Sequence, residues 1–129
     1  MDVTKVRTLL VDDNRPFLIL ARHLLASFLE IEVIGEAYDG EQAVQMAEQL
    51  KPNLIIMDLA MPNMGGLQAT RLIKAQDAPP VIIIASHYDD AAHREFVAQV
   101  GAEGFINKRS YENDVIVIVR RLLKELSDA

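Results

Sequence analysis

At 129 residues, half of them hydrophobic and a quarter charged, the chain has the size and composition of one globular domain able to bury a sizeable core. A formal net charge of −6 argues against unaided nucleic-acid binding, and without cysteine there is neither a disulfide framework nor a thiolate metal site, as suits a reducing compartment. Met1–Lys5 carries no apolar signal region and no apolar run reaches membrane-spanning length, so the expectation is a cytoplasmic protein that meets no membrane.

In chain order, short apolar runs alternate with helical patterns. Val6–Val11 predicts a first strand and ends in Asp12-Asp13-Asn14; Pro16 suits the first turn of the helix that follows, capped by Asp13 or Asn14. Phe17, Leu20, Ala21, Leu24, Leu25 and Phe28 recur at three- and four-residue steps, the buried stripe of that helix. Ile31–Ala37 is less uniformly apolar and predicts an edge strand. Asp39 caps a second helix that turns Ala43, Val44, Ala47 and Leu50 inward and stops at Pro52. Leu54-Ile55-Ile56-Met57 then runs straight into Asp58, the pattern of a strand buried on both faces with a carboxylate at its end.

Pro62, Gly65 and Gly66 mark a loop before a third helix, which carries Leu67, Thr70 or Arg71, and Ile73-Lys74. Val81–Ser86 is a second fully buried strand type. Asp89 or Asp90 starts a fourth helix with Ala92, Phe96, Val97 and Val100 as its apolar positions, stopped by Gly101 as a left-handed cap. Gly104–Lys108 predicts a short fifth strand, and Ser110 opens a last helix through Leu126. The β-branched run Val115–Val119 favours a strand by propensity, but helical spacing resumes in Arg120–Leu126, so the prediction is helix.

Five β–α units in succession imply an α/β fold: a parallel five-stranded sheet with helices on both faces, joined by right-handed crossovers. The flavodoxin-like strand order 2-1-3-4-5 places its switch point between the first and third strands, those ending in Asp12-Asp13 and Asp58. Ser86 and Lys108 end the fourth and fifth, so all five groups converge on one edge. Carboxylates gathered there repel by roughly 4 kcal/mol per contacting pair at a surface-like dielectric. A hard divalent cation relieves that repulsion, and Mg²⁺ suits oxygen ligands with retained waters. Asp58, held ionised by metal and lysine, is then an oxygen nucleophile for a phosphoryl group, with Lys108 and Ser86 set to neutralise and hydrogen-bond the transferring oxygens.

Asp12-Asp13, Asp58 followed by Met61-Pro62, Gly66, Ser86 and Lys108 together resemble the receiver domain of two-component response regulators, over essentially the whole chain. The resemblance implies a phosphoacceptor rather than an enzyme with turnover. Asp58 would take its phosphoryl group from a histidine kinase or phosphotransfer protein. Mg²⁺ would be held by Asp13, Asp58 and the backbone carbonyl of Ala60, with Asp12 acting mainly through water. It further implies a switch in which Ser86 is drawn toward the phosphate and Phe105 fills the space, shifting the surface of the fourth helix, fifth strand and fifth helix to control an output domain or partner. Val33–Ala37 and Gly101–Lys108 further resemble regulators with a LuxR-type helix-turn-helix output, which implies transcription control elsewhere in such a protein. Residues 1–129 are then one receiver domain, with Ala129 read either as a natural end or as a cut before an output domain.

Departures from the family pattern set further expectations. Arg109 follows the lysine where many receivers have proline, so the Lys108–Arg109 peptide is expected trans. Ala60 and Tyr88, two residues beyond Asp58 and Ser86, border the path of a hydrolytic water. Ala60 cannot orient that water and Tyr88 shields it, so slow self-dephosphorylation is expected. Val117, Ile116, Tyr111 and Tyr88 suggest an apolar patch for a homodimer or partner. Taken singly, Asp12 and Asp13 read as helix caps, Ser86 as a turn hydroxyl, Lys108 as a solvated charge and Phe105 equally as packing; their joint placement favours function. A flavodoxin-type carrier fits poorly, because Asp12–Pro16 would repel a flavin phosphate. An aspartyl-intermediate phosphatase fits poorly too, because Ala60 stands where a second Asp is usual. A receiver-like interaction module that is never phosphorylated is the remaining alternative.

Overall fold

A computed structural model of the chain describes residues 5–88 and 90–128. Within them lie β1 (Val6–Val11), α1 (Arg15–Leu25), β2 (Ile31–Ala37), α2 (Gly40–Leu50), β3 (Leu54–Asp58), α3 (Gly66–Lys74), β4 (Val81–Ser86), α4 (Ala91–Gln99), β5 (Gly104–Asn107), a 3-10 turn (Lys108–Ser110) and α5 (Tyr111–Asp128). All strand pairings are parallel and the order is β2-β1-β3-β4-β5, the expected flavodoxin-like arrangement with β2 at one edge.

The central strands explain their own composition. Side chains alternate across a strand, so a run buried on both faces must be apolar at every position. In β3, Leu54 and Ile56 join one core with Leu18, Ala21 and Leu25 of α1 and Val115 and Val119 of α5. Ile55 and Met57 join the other, with Ala43 and Ala47 of α2, Ala69 and Ile73 of α3, and Val97 of α4. Burying such a side chain stabilises the fold by about 1.5–3 kcal/mol each, which fixes the register that delivers Asp58 to the sheet edge.

Helix ends follow local chemistry. Asn14, rather than Asp13, caps α1 by accepting from Phe17 N–H at 3.1 Å; Asp39 caps α2 and Asp90 caps α4. Asp89, the other candidate for that last cap, lies outside the described residues. Lys51 (φ 50°) ends α2 in left-handed geometry before Pro52, and Gly101 (φ 99°) follows α4 as expected. The Lys108–Arg109 peptide is trans.

The helix faces agree with expectation in places, as at Thr70 and Val115–Val119, and depart from it in others. In α1 Leu18 joins the expected Ala21 and Leu25 in the core, while Leu20 points to solvent, because the run Phe17-Leu18-Ile19-Leu20 offers apolar groups to both faces. In α3 Thr70 is buried and Arg71 exposed. In α4 Ala92 and Phe96 are exposed, and the helix sinks Val97 alone below the surface. Lys108 lies in the 3-10 turn, one residue past β5. Val115–Val119 is helical because Val115 and Val119, four apart, dock fully into the α1/α5 core; packing there outweighs propensity. Tyr111, expected in a surface patch, is instead buried, and the side chain of Leu126 lies outside the described residues.

Candidate functional site

Asp12 directly follows β1, and its N–H bonds the Ala37 carbonyl at 3.0 Å, so the chain leaves the sheet in a fixed direction. One Asp12 oxygen, Oδ1, accepts the Asn14 N–H at 2.9 Å. Asp58 ends β3. The loop after it is folded back tightly: Gly66 N–H bonds the Leu59 carbonyl at 2.8 Å, and a Cβ on Gly66 would overlap the Asp58 carbonyl. Only glycine fits that approach.

From the end of β5, Lys108 reaches across the edge. Its Nζ lies 2.6 Å from Asp12 Oδ2 and 3.2 Å from Asp58 Oδ1, and its side chain is only 5% exposed. Asp13 is exposed, yet carboxylate oxygens of Asp12, Asp13 and Asp58 all fall within 4.8 Å of one another. Three carboxylates against one ammonium leave a formal charge of −2. Burial first, and then the charge of Asp12, push the Asp58 carboxyl up from 3.8 to about 6; Lys108 and the Leu59 N–H pull the other way. The residual charge and the oxygen-only donor set suit a hard divalent cation, with Mg²⁺ the fitting choice for the expected role.

Ser86 stands one residue past Ala85, the register partner of Asp58, and is buried; its Oγ accepts the Tyr88 N–H at 2.9 Å. Phe105 is half-buried against the α2/α3/α4 core, with the Arg94 guanidinium 4.6 Å from its ring centre. Ala60 and Tyr88 line one open groove of about 490 Å³ together with Leu59, Leu67 and His93. Tyr88 stacks on His93 at 5.3 Å, and His93 Nδ1 lies 2.7 Å from Asp90 Oδ1. The structure thus gathers Asp12, Asp13, Asp58 and Lys108 into one cluster. Ser86 ends the strand beside it, and Phe105, Ala60 and Tyr88 lie toward the α4 side.

Two aromatic residues stand at the site in roles other than those expected of them, Phe17 as part of a helix stripe and Tyr111 as part of a surface patch. The Phe17 ring centre is 4.4 Å from Lys108 Nζ, and Tyr111 packs edge-on against Phe17 at 4.9 Å. Burial, aided by the Asp12 charge, pushes the Tyr111 hydroxyl well above its usual range. The available signal was position: each is an aromatic three to five residues beyond a charged strand end.

The family described as response regulator receiver domain matches residues 8–120. A protein-glutamate methylesterase/protein-glutamine glutaminase of Alkalilimnicola ehrlichii is 42% identical over 106 residues, covering 81% of this chain and 27% of that protein. The transcriptional regulatory protein LiaR of Bacillus subtilis is 37% identical over 123 residues, 92% of this chain and 56% of that one. Among solved structures, a LuxR-family two-component response regulator from Aurantimonas sp. SI85-9A1 superposes with a TM-score of 0.88 at 27% identity, over 95% of this chain and 87% of that chain. The chain therefore spans between about a quarter and about half the length of these curated relatives.

Proposed function

This chain belongs to the response regulator receiver domain family, and on that premise we propose that Asp58 is its phosphoacceptor, served by Lys108, Ser86 and a magnesium site at Asp12, Asp13, Asp58 and the Ala60 carbonyl. The observation that carries this is the Lys108 ammonium lying between two buried carboxylates, with a third within reach. Such an arrangement is costly for folding alone, since one counter-ion faces three charges. It is useful where a further cation and a phosphoryl group are to be received.

In the transfer, an Asp58 carboxylate oxygen attacks the phosphorus of a phosphohistidine on the donor. The P–O bond forms, the P–N bond breaks and the imidazole leaves, giving an aspartyl phosphate. Lys108 stays beside the carboxylate and neutralises phosphoryl oxygens as charge develops on them. Ser86 turns its hydroxyl toward one of them. Asp12, Asp13, Asp58 and the Ala60 carbonyl would hold Mg²⁺, which when bound would add to the neutralisation of the phosphoryl charge.

The phosphate adds a charge of about −1.5 to −2 at the sheet edge, and Ser86 and Phe105 carry its effect to α4, β5 and α5. That surface then engages an output domain, a partner or a second copy. A histidine kinase or phosphotransfer protein in the cytoplasm is the donor. The domain turns over no substrate of its own, and it loses its phosphoryl group slowly, since Ala60 has no side chain to orient water. Relatives named a protein-glutamate methylesterase and a transcriptional regulatory protein are each longer than the matched region, and an output of either kind suits this domain.

The test is labelling with acetyl phosphate and Mg²⁺, followed by intact mass. Wild type gains one phosphoryl group and Asp58→Asn gains none. Equal labelling of the two would overturn the assignment.

A further inference from the structure

Tyr111, the first residue of α5, is 3% exposed, and its hydroxyl is buried without a hydrogen-bond partner. Its ring is fixed by the edge-on contact with Phe17, which itself lies against Lys108. Buried polar groups of this kind are rare and call for a partner. Tyr111 lines a small cavity with Asp12, Asp58, Phe17, Ile56 and Ala85, with about 10 Å³ of room for a water's centre. That is roughly one water molecule, and a buried water is stable where two to four polar groups receive it. Three of the lining residues carry polar groups: Tyr111, whose phenol can donate, and Asp12 and Asp58, whose carboxylates can accept. The Asp12 carboxylate is near enough for its charge to act on the hydroxyl.

We propose that Tyr111 is a positioning residue for the acidic centre: its hydroxyl donates to a single buried water that in turn donates to the Asp12 and Asp58 carboxylates. The phenol gains its missing acceptor, and each carboxylate gains a donor on the side away from solvent. Lys108 grips the same two carboxylates through Asp12 Oδ2 and Asp58 Oδ1, so the water and the ammonium together set the angle at which cation and phosphoryl group are met. The effect on phosphoryl transfer rests on the function proposed above; the hydrogen bond itself does not.

Tyr111→Phe removes the hydroxyl and keeps the ring against Phe17. An orphan hydroxyl would make this change neutral or stabilising, whereas a bonded one makes it destabilising. The expectation is a melting temperature lower by several degrees without Mg²⁺, and labelling by acetyl phosphate at saturating Mg²⁺ slowed by about tenfold as the Asp58 carboxylate loses its fixed angle. A slowly exchanging hydroxyl proton should appear in the wild-type proton spectrum, shift on addition of Mg²⁺ alone, and vanish in Tyr111→Phe. An equal or higher melting temperature with no such proton would overturn the proposal. If wild type takes no phosphoryl group at all, the phosphoacceptor reading fails, while the melting temperature and the proton signal still decide the hydrogen bond.

Discussion

The two faces of the sheet are built differently. On the α1/α5 face, α5 sinks Tyr111, Val115 and Val119 into a core shared with Leu18, Ala21 and Leu25 of α1, and the Asp12–Lys108–Asp58 cluster caps that core. On the opposite face α4 buries Val97 alone and leaves Phe96 54% exposed, while its neighbour Phe105 is only half-buried beneath Arg94. One side holds charges in fixed geometry. On the other, α2 and α3 are packed into the core as firmly, and α4 is the element held by a single buried side chain. A site that must bind a charge and report it needs both kinds of packing, because preorganised chemistry favours rigidity and a population shift favours a weakly held element.

The largest expected effect breaks the rigid side. Lys108→Met strands Asp12 and Asp58 without their counter-ion, and loss of one partner of such a buried pair costs about 3–5 kcal/mol. Urea unfolding without metal should show that loss, and Mg²⁺ should restore part of it; labelling of Asp58 should fall steeply.

A smaller effect of opposite sign comes from Asp58 itself. Its carboxyl is raised to about 6 from 3.8, so the folded, metal-free protein holds that proton more tightly than the unfolded chain does. Stability should therefore fall as pH rises through this window and level off above it. Asp58→Asn should abolish this component of the pH dependence and stabilise the metal-free protein at neutral pH by about 1–3 kcal/mol, measured as the difference between the two unfolding curves. Gly66→Ala, which drives a Cβ into the Asp58 carbonyl, should destabilise by about 1–3 kcal/mol and lower labelling as the loop shifts.

The smallest effects sharpen the mobile side. Arg94→Ala removes a cation–π contact worth about 0.5–1 kcal/mol at an exposed site, so overall stability should barely change. Amide exchange should nonetheless speed up across α4 and leave the buried turn of α5 around Val115 unaffected.

Much of this division was legible in the sequence and some was not. The strand runs and the charges ending them placed the sheet and the acidic cluster, because a doubly buried strand tolerates few other sequences and Asp12 and Asp58 each end such a run, while Lys108 follows a short edge strand. The helix faces were harder. Phe17 to Leu20 is apolar throughout, so spacing alone could not separate buried Leu18 from exposed Leu20. Phe96 fits a helical stripe perfectly well, yet β5 beside it is short and leaves α4 little to pack on. Tyr111 suits a surface patch or a core equally by type, and only the placement of Phe17 decides between them.

The account is tested most directly by amide hydrogen exchange of the full chain with Mg²⁺, before and after beryllofluoride is added to occupy Asp58. Changes should centre on Ser86, α4 and Phe105, with Val115 and Val119 unmoved, and Asp58→Asn should show none of them. A response confined to the loops bearing the aspartates, or one of equal size in Asp58→Asn, would contradict it.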